Sequence, residues 1–309
     1  MHKNVSFVMP VLNEERYLKA AVESVMAQEL PGEMELVLAI APGQDQTPEI
    51  AKSLKKKYGK KLQLVAVDQA NTSLQLNAAI ARAKFEVVLR VDAHAELGSD
   101  YAATAIEILN ATGAANVGGV MKAVGESDFQ SAVAYGYNNR IGVGGGAYHV
   151  GAKAGPQESV YLGVFDKKKL LSVGGFDPKW VRGQDWELNQ RLRPAGHQVW
   201  FDPRLEVTYR PRSSWQALAK QFFKTGQWRG MLTRENPGQS AARYWVPPLL
   251  VLSLVFVFPL WLYLLAIAVV ALTSKAGSLR TKLWLIVVLP TMHLSWGLGF
   301  WLGLIQGAK

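Results

Sequence analysis

The sequence predicts an α/β fold: a mostly parallel sheet flanked by helices, followed by an amphipathic interface helix and C-terminal transmembrane helices. Three observations predict it. Short apolar runs alternate with amphipathic helical patterns between residues 5 and 91, as in strands joined by helical crossovers. Polar residues collect where those runs end, at Asn13, Glu14, Asp45, Asp92 and His94, and ligands of such sheets bind beyond the carboxyl ends of the strands. Two C-terminal stretches, 246–272 and 283–305, carry no charged residue, and each exceeds the ~20 residues a membrane-spanning helix needs.

Each element follows from its local pattern. Residues 5–11, 35–41, 62–67 and 86–91 are short apolar runs and predict buried strands. Between them, Leu18, Ala21, Val22, Val25 and Met26 recur at helical spacing, and 48–58 and 74–83 predict two more helices. The six lysines between positions 52 and 61 lack interleaved aromatics, so they predict a solvated face and not a nucleic-acid patch. Residues 114–165 are less regular. The glycine run 142–146 has no strand–loop–helix setting, which excludes a dinucleotide fingerprint and predicts a mobile loop. His149 beside it is a hydrogen-bonded loop histidine or a further metal ligand. Strands follow at 160–166, 199–202 and 206–209. In 213–233, Trp215, Leu218, Phe222 and Trp228 interleave with Lys220, Lys224 and Arg229, the pattern of a helix lying in a bilayer interface or packed on a globular surface. Pro259 and Pro290 predict kinks in the apolar runs. The organisation expected is 1–212 catalytic domain, 213–244 interface helix and linker, and 245–309 membrane segments.

The totals set limits. Thirty-four Lys and Arg against 24 Asp and Glu leave the 309-residue chain at +10, with pI 9.6 and mean hydropathy +0.05. A basic balance implies an anionic partner. The absence of cysteine excludes disulfides, thiolate metal sites and cysteine nucleophiles. The short apolar run at the N-terminus, followed at once by acids, does not read as a signal peptide.

Two clusters carry chemistry. Asp92 and His94, two apart at a strand end, project to the same side because the strand period is 2. They suit Mg²⁺ or Mn²⁺ alongside phosphate oxygens, or they are a polar strand end with Asp92 capping the next turn. In 174–196, GGFDPKWVRGQDWELNQRLRPAG, a Gly-Gly and Asp-Pro turn precedes Asp185 and Glu187, which open a helix with Leu188, Leu192 and Ala195 on one face. Asp185 either caps that helix, with Glu187 favouring its dipole, or points from the helix mouth at a ligand.

In order along the chain, VMPVLNEE (8–15), APGQDQT (41–47), LNAAI (76–80), RVDAH (90–94), GGFDPKWVRGQDWELNQRL (174–192), KQFFKTGQWRG (220–230) and the tail with HLSWGLGF (293–300) resemble the family 2 glycosyltransferases of the GT-A fold. The resemblance is to the membrane-attached bacterial group that includes succinoglycan-biosynthesis glycosyltransferases, and it spans nearly the whole chain. It implies a nucleotide-diphosphate-sugar donor, a divalent metal (Mn²⁺ or Mg²⁺) and inversion at the anomeric carbon. By this resemblance Pro10, Val11, Asn13, Glu14 and Asn77 bind the donor, Asp92 approaches it, and Asp92 and His94 hold the metal. Asp185 stands at the general base. Gln227, Trp228 and Arg229 match a motif near the donor diphosphate and acceptor. Arg182, Arg229 and Lys224 are the cations suited to a departing diphosphate. The expected partners are the nucleotide-sugar, a lipid-linked or envelope-polysaccharide acceptor and the membrane. The expected location is the bacterial cell membrane, multi-pass, with the catalytic domain cytoplasmic.

Three positions depart from the family pattern. Ile40 and Ala41 stand where an Asp reads the nucleotide base, so the base is open and Asp45 serves as a helix cap. His94 replaces the last Asp of Asp-x-Asp, which favours either Mn²⁺ over Mg²⁺ or a loosely bound metal. Gln184 replaces the Glu of the Glu-Asp pair, which lowers the Asp185 pKa relative to such a pair. Two further readings are transfer of a sugar to polyprenyl phosphate, making a lipid carrier, and a membrane-anchored binding protein that has lost the chemistry.

Overall fold

In the computed structural model, which describes residues 1–238, 240–254 and 256–307, nine strands form one sheet among the described residues. They are β1 (Val5–Val11), β2 (Met34–Ile40), β3 (Leu62–Ala66), β4 (Val87–Arg90), β5 (Glu96–Leu97), β6 (Asn116–Ala123), β7 (Gly155–Pro156), β8 (Tyr161–Asp166) and β9 (Val199–Tyr209). The helices are α1 (Leu18–Met26), α2 (Thr47–Tyr58), α3 (Thr72–Arg82), α4 (Tyr101–Thr112), α5 (Asp128–Tyr137), α6 (Arg140–Val143), α7 (Ala147–Val150), α8 (Lys167–Ser172), α9 (Gln184–Leu192), α10 (Trp215–Glu235), α11 (Val246–Ser253), α12 (Val257–Thr273) and α13 (Leu279–Gln306). The chain divides into two compact units, Met1–Met121 with Gly151–Tyr209, and Lys122–Val150 with Arg210–Lys309. Residues 122–150, expected within a catalytic domain of 1–212, cluster with the C-terminal helices.

In the first unit the strand order is β3-β2-β1-β4-β8-β6-β9-β5. β1 pairs in parallel with β2 and β4, and β2 with β3, so the four leading strands end on one side. The other half is antiparallel: β8 runs against β4 and β6, and β9 against β5 and β7. Phe7, Met9, Leu36, Leu38 and Leu89 are fully buried, as expected of strands covered on both faces. At the ends of β1 and β2 the buried Gln75 amide donates to the carbonyls of Val11 (2.9 Å) and Ala39 (2.8 Å). This satisfies main-chain acceptors at the margin of the core.

The antiparallel half holds a bulge. Val117 pairs Val164 but Gly119 pairs Tyr161, and Leu162 between them takes φ +45°. A bulge re-aims the side chains beside it, here Tyr161. Gly119 is required because a Cβ there would strike the Leu205 carbonyl oxygen. The two short strands expected at 199–209 are one continuous strand, β9, which runs through Pro203.

In the second unit α13 is the core. α10 lies against it along two small-residue steps, Gly226/Gly230 and Gly299/Gly303. A Cβ at Gly226 or Gly230 would meet the Trp296 or Phe300 carbonyl, and one at Gly299 or Gly303 the Phe223 or Gln227 carbonyl. Trp215 Nε1 donates to Thr291 Oγ1 (2.8 Å), and Arg234 Nη1 donates to the Ile305 carbonyl. The two helices therefore run parallel. α5 covers the other end of α13: Asp128 Oδ1 accepts from Thr281 Oγ1 at 2.8 Å, and Phe129 meets Trp284 edge-on.

Two expectations about the apolar run 246–272 change here. The apolar run 246–272 is not one span but α11 followed by α12, each shorter than a membrane crossing. Val255, inside that run, lies outside the described residues. Pro259, expected to kink the run, falls in the first turn of α12, where proline fits a helix start. Among the described residues α13 is the one helix long and apolar enough to cross a membrane, and it runs on through Pro290. The helix expected to lie at a bilayer interface, α10, is packed lengthwise on α13.

Candidate active site

The parallel strands of the first unit deliver the sequence-predicted residues to one edge. Asn13 follows β1 with φ +53°, a conformation Asn tolerates better than most residues. Its Oδ1 accepts from the Gln44 N–H at 2.8 Å. The next main-chain N–H, of Glu14, donates to Thr47 Oγ1 (2.8 Å), and that of Glu15 to Asp45 Oδ2 (3.1 Å). Asp45 also accepts from the Thr47 N–H, and the Thr47 hydroxyl leads the contacts that hold its carboxyl below the usual carboxylate value. Asp45 therefore ties the loop ahead of α2 to the loop after β1; the N-cap of α2 is Gln46, without a side-chain cap hydrogen bond, so Asp45 braces this loop and is not the helix cap expected. Pro10 is half-buried within β1. Val11 has a fully buried side chain and a carbonyl taken by Gln75. It forms the floor of this edge and cannot present its side chain to a ligand.

The centre of the site is Arg90, a residue to which the sequence pattern alone assigns no role. Its guanidinium donates Nε and Nη2 to Asp92 Oδ1 at 3.0 and 2.9 Å, and Nη1 to Asp185 Oδ1. The Arg90 side chain is 7% exposed, and that of Asp185 39%. One buried cation thus joins the end of β4 to the mouth of α9. Of the two readings of Asp185, the helix cap falls away: α9 is capped by Gly183 at φ +73° with no side-chain hydrogen bond, and Asp185 lies inside the first turn. Asp92 likewise gives its charge to Arg90.

The two carboxylates differ. Burial works against the Asp92 charge, but Arg90 and then His94 outweigh it, so its pKa lies below the ordinary value. Burial acts on Asp185 too, and Arg90 opposes it with a single contact while Asp92 adds repulsion, so its pKa lies above the ordinary value. The substitution of Gln184 for an acid does remove one neighbouring charge; Asp92 supplies another through space. Tyr161, turned by the bulge, completes the cluster, and burial, with Asp92 next, holds its phenol protonated.

His94 Nδ1 lies 3.0 Å from Glu14 Oε1, which joins the ends of β4 and β1. No cluster of three or more His, Cys, Asp or Glu able to hold a metal ion occurs among the described residues. The donors present fit a divalent cation that shares its shell with a ligand. Both Arg90 contacts fall on one oxygen of Asp92, and hard cations with few protein ligands complete their shell with phosphate oxygens and water.

The loop ahead of α9 is clamped by α3. Asn77 donates to the Phe176 carbonyl (2.6 Å) and accepts from the Phe176 N–H (2.9 Å). Asn71 donates to the Pro178 carbonyl and Ser73 to the Trp180 carbonyl, both at 2.8 Å. Asn77, expected at the donor, spends its amide on this main chain. Glu187 pairs with Arg191 at 2.6 Å, and Arg191 also donates to the Val173 and Gly175 carbonyls, which fixes the turn. Deeper in α9, the buried Asn189 accepts from Asn116 (2.8 Å) and donates to Ser159 (3.0 Å). Arg182 is exposed in the loop immediately before α9. Gln227, Trp228 and Arg229 are on α10 in the second unit: Gln227 donates to Gln306 Oε1 at 2.9 Å, and Arg229 lies 4.1 Å over the Tyr244 ring.

Residues 6–159 match the family model "Glycosyl transferase family 2". The chain carries a glycosyltransferase family 2 domain. It is 29% identical to the succinoglycan biosynthesis protein ExoA of Rhizobium meliloti (strain 1021), over 97% of this chain and 94% of that one. It is 24% identical to a dolichyl N-acetyl-α-D-glucosaminyl phosphate 3-β-D-2,3-diacetamido-2,3-dideoxy-β-D-glucuronosyltransferase of Methanococcus voltae, over 98% of each. Among solved structures, the mannosyltransferase PcManGT of Pyrobaculum calidifontis, in complex with GDP-Man and Mn²⁺, superposes with TM-score 0.64 at 16% identity, covering 93% of this chain and 86% of that one. S. aureus TarS 1–349 with UDP-GlcNAc gives 0.56 at 14%, covering 96% and 90%. The fold is that of the GT-A glycosyltransferases: a mixed sheet, parallel on one side and antiparallel on the other.

Proposed function

We propose that this family 2 glycosyltransferase moves a sugar from a nucleotide-diphosphate donor to a hydroxyl of a lipid-linked or envelope-glycan acceptor at a membrane surface, with inversion. The observation that carries the reading is the Arg90 bridge. It sets Asp92, on the strand end that faces a donor diphosphate, beside Asp185, at the mouth of α9. A carboxylate tuned upward and partly open to solvent suits a general base. As the acceptor oxygen bonds to the anomeric carbon, its proton passes to Asp185, and the bond to the diphosphate breaks on the opposite face. A phosphate acceptor carries its own negative charge and needs no base, so an ordered base favours a hydroxyl acceptor over polyprenyl phosphate itself. The same constellation, kept intact, speaks against a binding protein without chemistry.

The donor side follows from the strand ends. Asn13, Glu14 and Pro10 border the nucleotide, with Val11 beneath it. Arg182 supplies positive charge to the leaving diphosphate. Asn77 acts one step removed, by holding the 176–180 loop. Asp92 and His94 would hold Mn²⁺ or Mg²⁺, which when bound would neutralise charge on the diphosphate. The likeness to a succinoglycan biosynthesis protein and to a dolichyl-phosphate-linked sugar transferase supports a glycan or lipid-linked acceptor, and PcManGT's complex with GDP-Man and Mn²⁺ supports the metal. The apolar α13 and the exposed apolar faces of α11 and α12 support membrane attachment.

Asp185→Asn tests the assignment. Transfer should fall by about 10³-fold or more, in the range of lost acid–base catalysis, while Mn²⁺-dependent nucleotide binding persists. Wild-type turnover in this variant would remove Asp185 from the role of base.

A further inference from the structure

We propose that the second unit holds a separate site for the phosphate-bearing end of a long-chain lipid, in the pocket that closes around Arg229 and Arg243. This pocket deepens the reading of the chain as a transferase with a lipid-linked acceptor, and rests on that reading. Its volume is about 470 Å³, and its walls come from α5 to α7, α10, α11, α12 and α13. Among the described residues three arginines line it, Arg140, Arg229 and Arg243, and no aspartate or glutamate does. Two of them converge on one ring: Arg229 lies 4.1 Å and Arg243 4.7 Å from the Tyr244 centroid, and Arg243 Nη2 donates to the Tyr244 hydroxyl at 3.1 Å. Two cations lining one pocket repel each other, and a phosphate that reaches both guanidiniums offsets that repulsion while accepting their N–H bonds.

The rest of the lining selects among phosphates. Ile141, Val246, Pro247, Leu250 and Met292 form an apolar wall. It continues onto α11 and α12, where Leu249, Leu252, Trp261, Leu264 and Leu265 stand exposed. A ligand whose head meets the arginines therefore has an apolar surface for its tail, which a nucleotide or a free sugar phosphate could not use. His149 sits between Tyr137 and Tyr148, with ring centroids at 5.7 and 4.3 Å. Its buried Nδ1 has no hydrogen-bond partner among the described residues. Burial pushes its pKa down to about 3, so it meets a ligand as a neutral donor or acceptor. The Arg229 of the expected donor motif is thus built into a lipid-phosphate pocket, while Gln227 two residues earlier braces α13.

The test uses the full chain in non-ionic detergent, with polyprenyl phosphate as the probe and tryptophan fluorescence as the readout, since Trp296 lines the pocket. Binding should saturate. It should weaken about tenfold in each of Arg243→Gln and Arg140→Gln, the loss of one charge-assisted contact. Arg140 is exposed, so its variant reports on binding without threatening the fold. Unchanged affinity in both variants would overturn the site. Equal binding of polyprenol, without the phosphate, would overturn the role of the arginines. Competition by inorganic pyrophosphate at the concentration of the lipid would overturn the lipid and leave a free-phosphate site. Nucleotide-diphosphate binding with Mn²⁺ on the same samples separates the two readings. Lipid phosphate bound without nucleotide upholds the pocket and overturns the transferase. Nucleotide bound without lipid phosphate overturns the pocket alone.

Discussion

Arg90 couples the two carboxylates on which the proposed chemistry depends. Its positive charge is the contact that opposes protonation of Asp185, while burial and Asp92 favour it. The acid limb of kcat/KM should therefore lie above the ordinary Asp value of 3.8. Arg90→Gln removes the opposing charge, so the limb should move further up in pH. Turnover at neutral pH should drop by roughly 10²-fold as the base loses both ionisation and orientation. Arg90→Lys keeps the charge but not the fork, and should restore the limb more fully than the rate. A pH–rate profile of the three proteins, with melting curves to confirm folding, checks this. A limb that stays in place in Arg90→Gln would uncouple the two residues. Asp92 is legible in the sequence as an acid at a strand end, and Asp185 chiefly through the family resemblance, because an acid in the first turn of a helix is by itself a common helix start. Arg90 was hidden in EVVLRV, since an arginine at the margin of a buried strand says nothing about its partner. That partner lies 95 positions away.

Glycine makes a close helix contact in the second unit. Four glycines let α10 and α13 meet backbone to backbone, and a Cβ at any of them would run into a main-chain carbonyl. Gly226→Leu or Gly303→Leu should cost at least about 2 kcal/mol by overpacking and lower the melting midpoint by about 5 °C. Gly145→Ala meets nothing within 4 Å and should leave the midpoint where it is. If the three variants melted together, the seam would contribute no stability. β1 to β4 lie within a residue or two of their apolar runs, because strands buried on both faces are continuous and hydrophobic. β6 stayed hidden in a less regular stretch because Gly118 and Gly119 interrupt it, and they are needed only for the close passage of β9 and the bulge at Leu162. α4 went unread although Ala102, Ala105, Ile106 and Leu109 share one buried face and Gly113 closes it in the left-handed conformation.

The apolar excess of the C-terminal third is divided between two uses that hydropathy alone does not separate. In α13 one face is spent on packing: Leu285, Val288, Leu289, Met292 and Phe300 are fully buried. α12 is different, since Ile267 and Ala271 are covered while Trp261, Leu262, Leu265 and Leu272 stand exposed. Exposed apolar surface of this extent calls for a partner, and in a chain of +10 an anionic bilayer supplies both the apolar phase and the opposite charge. The two contributions can be told apart. Raising salt screens the charge and should only weaken binding of the protein to anionic vesicles. Leu262→Glu with Leu265→Glu removes about 2 kcal/mol of apolar transfer at each position and adds negative charge. It should lower the vesicle partition coefficient by roughly three orders of magnitude. Both side chains are exposed, so melting in detergent should stay near wild type and nucleotide binding should persist. Flotation of the double variant with vesicles to the wild-type extent would mean that α12 does not face lipid, and that α13 carries the attachment.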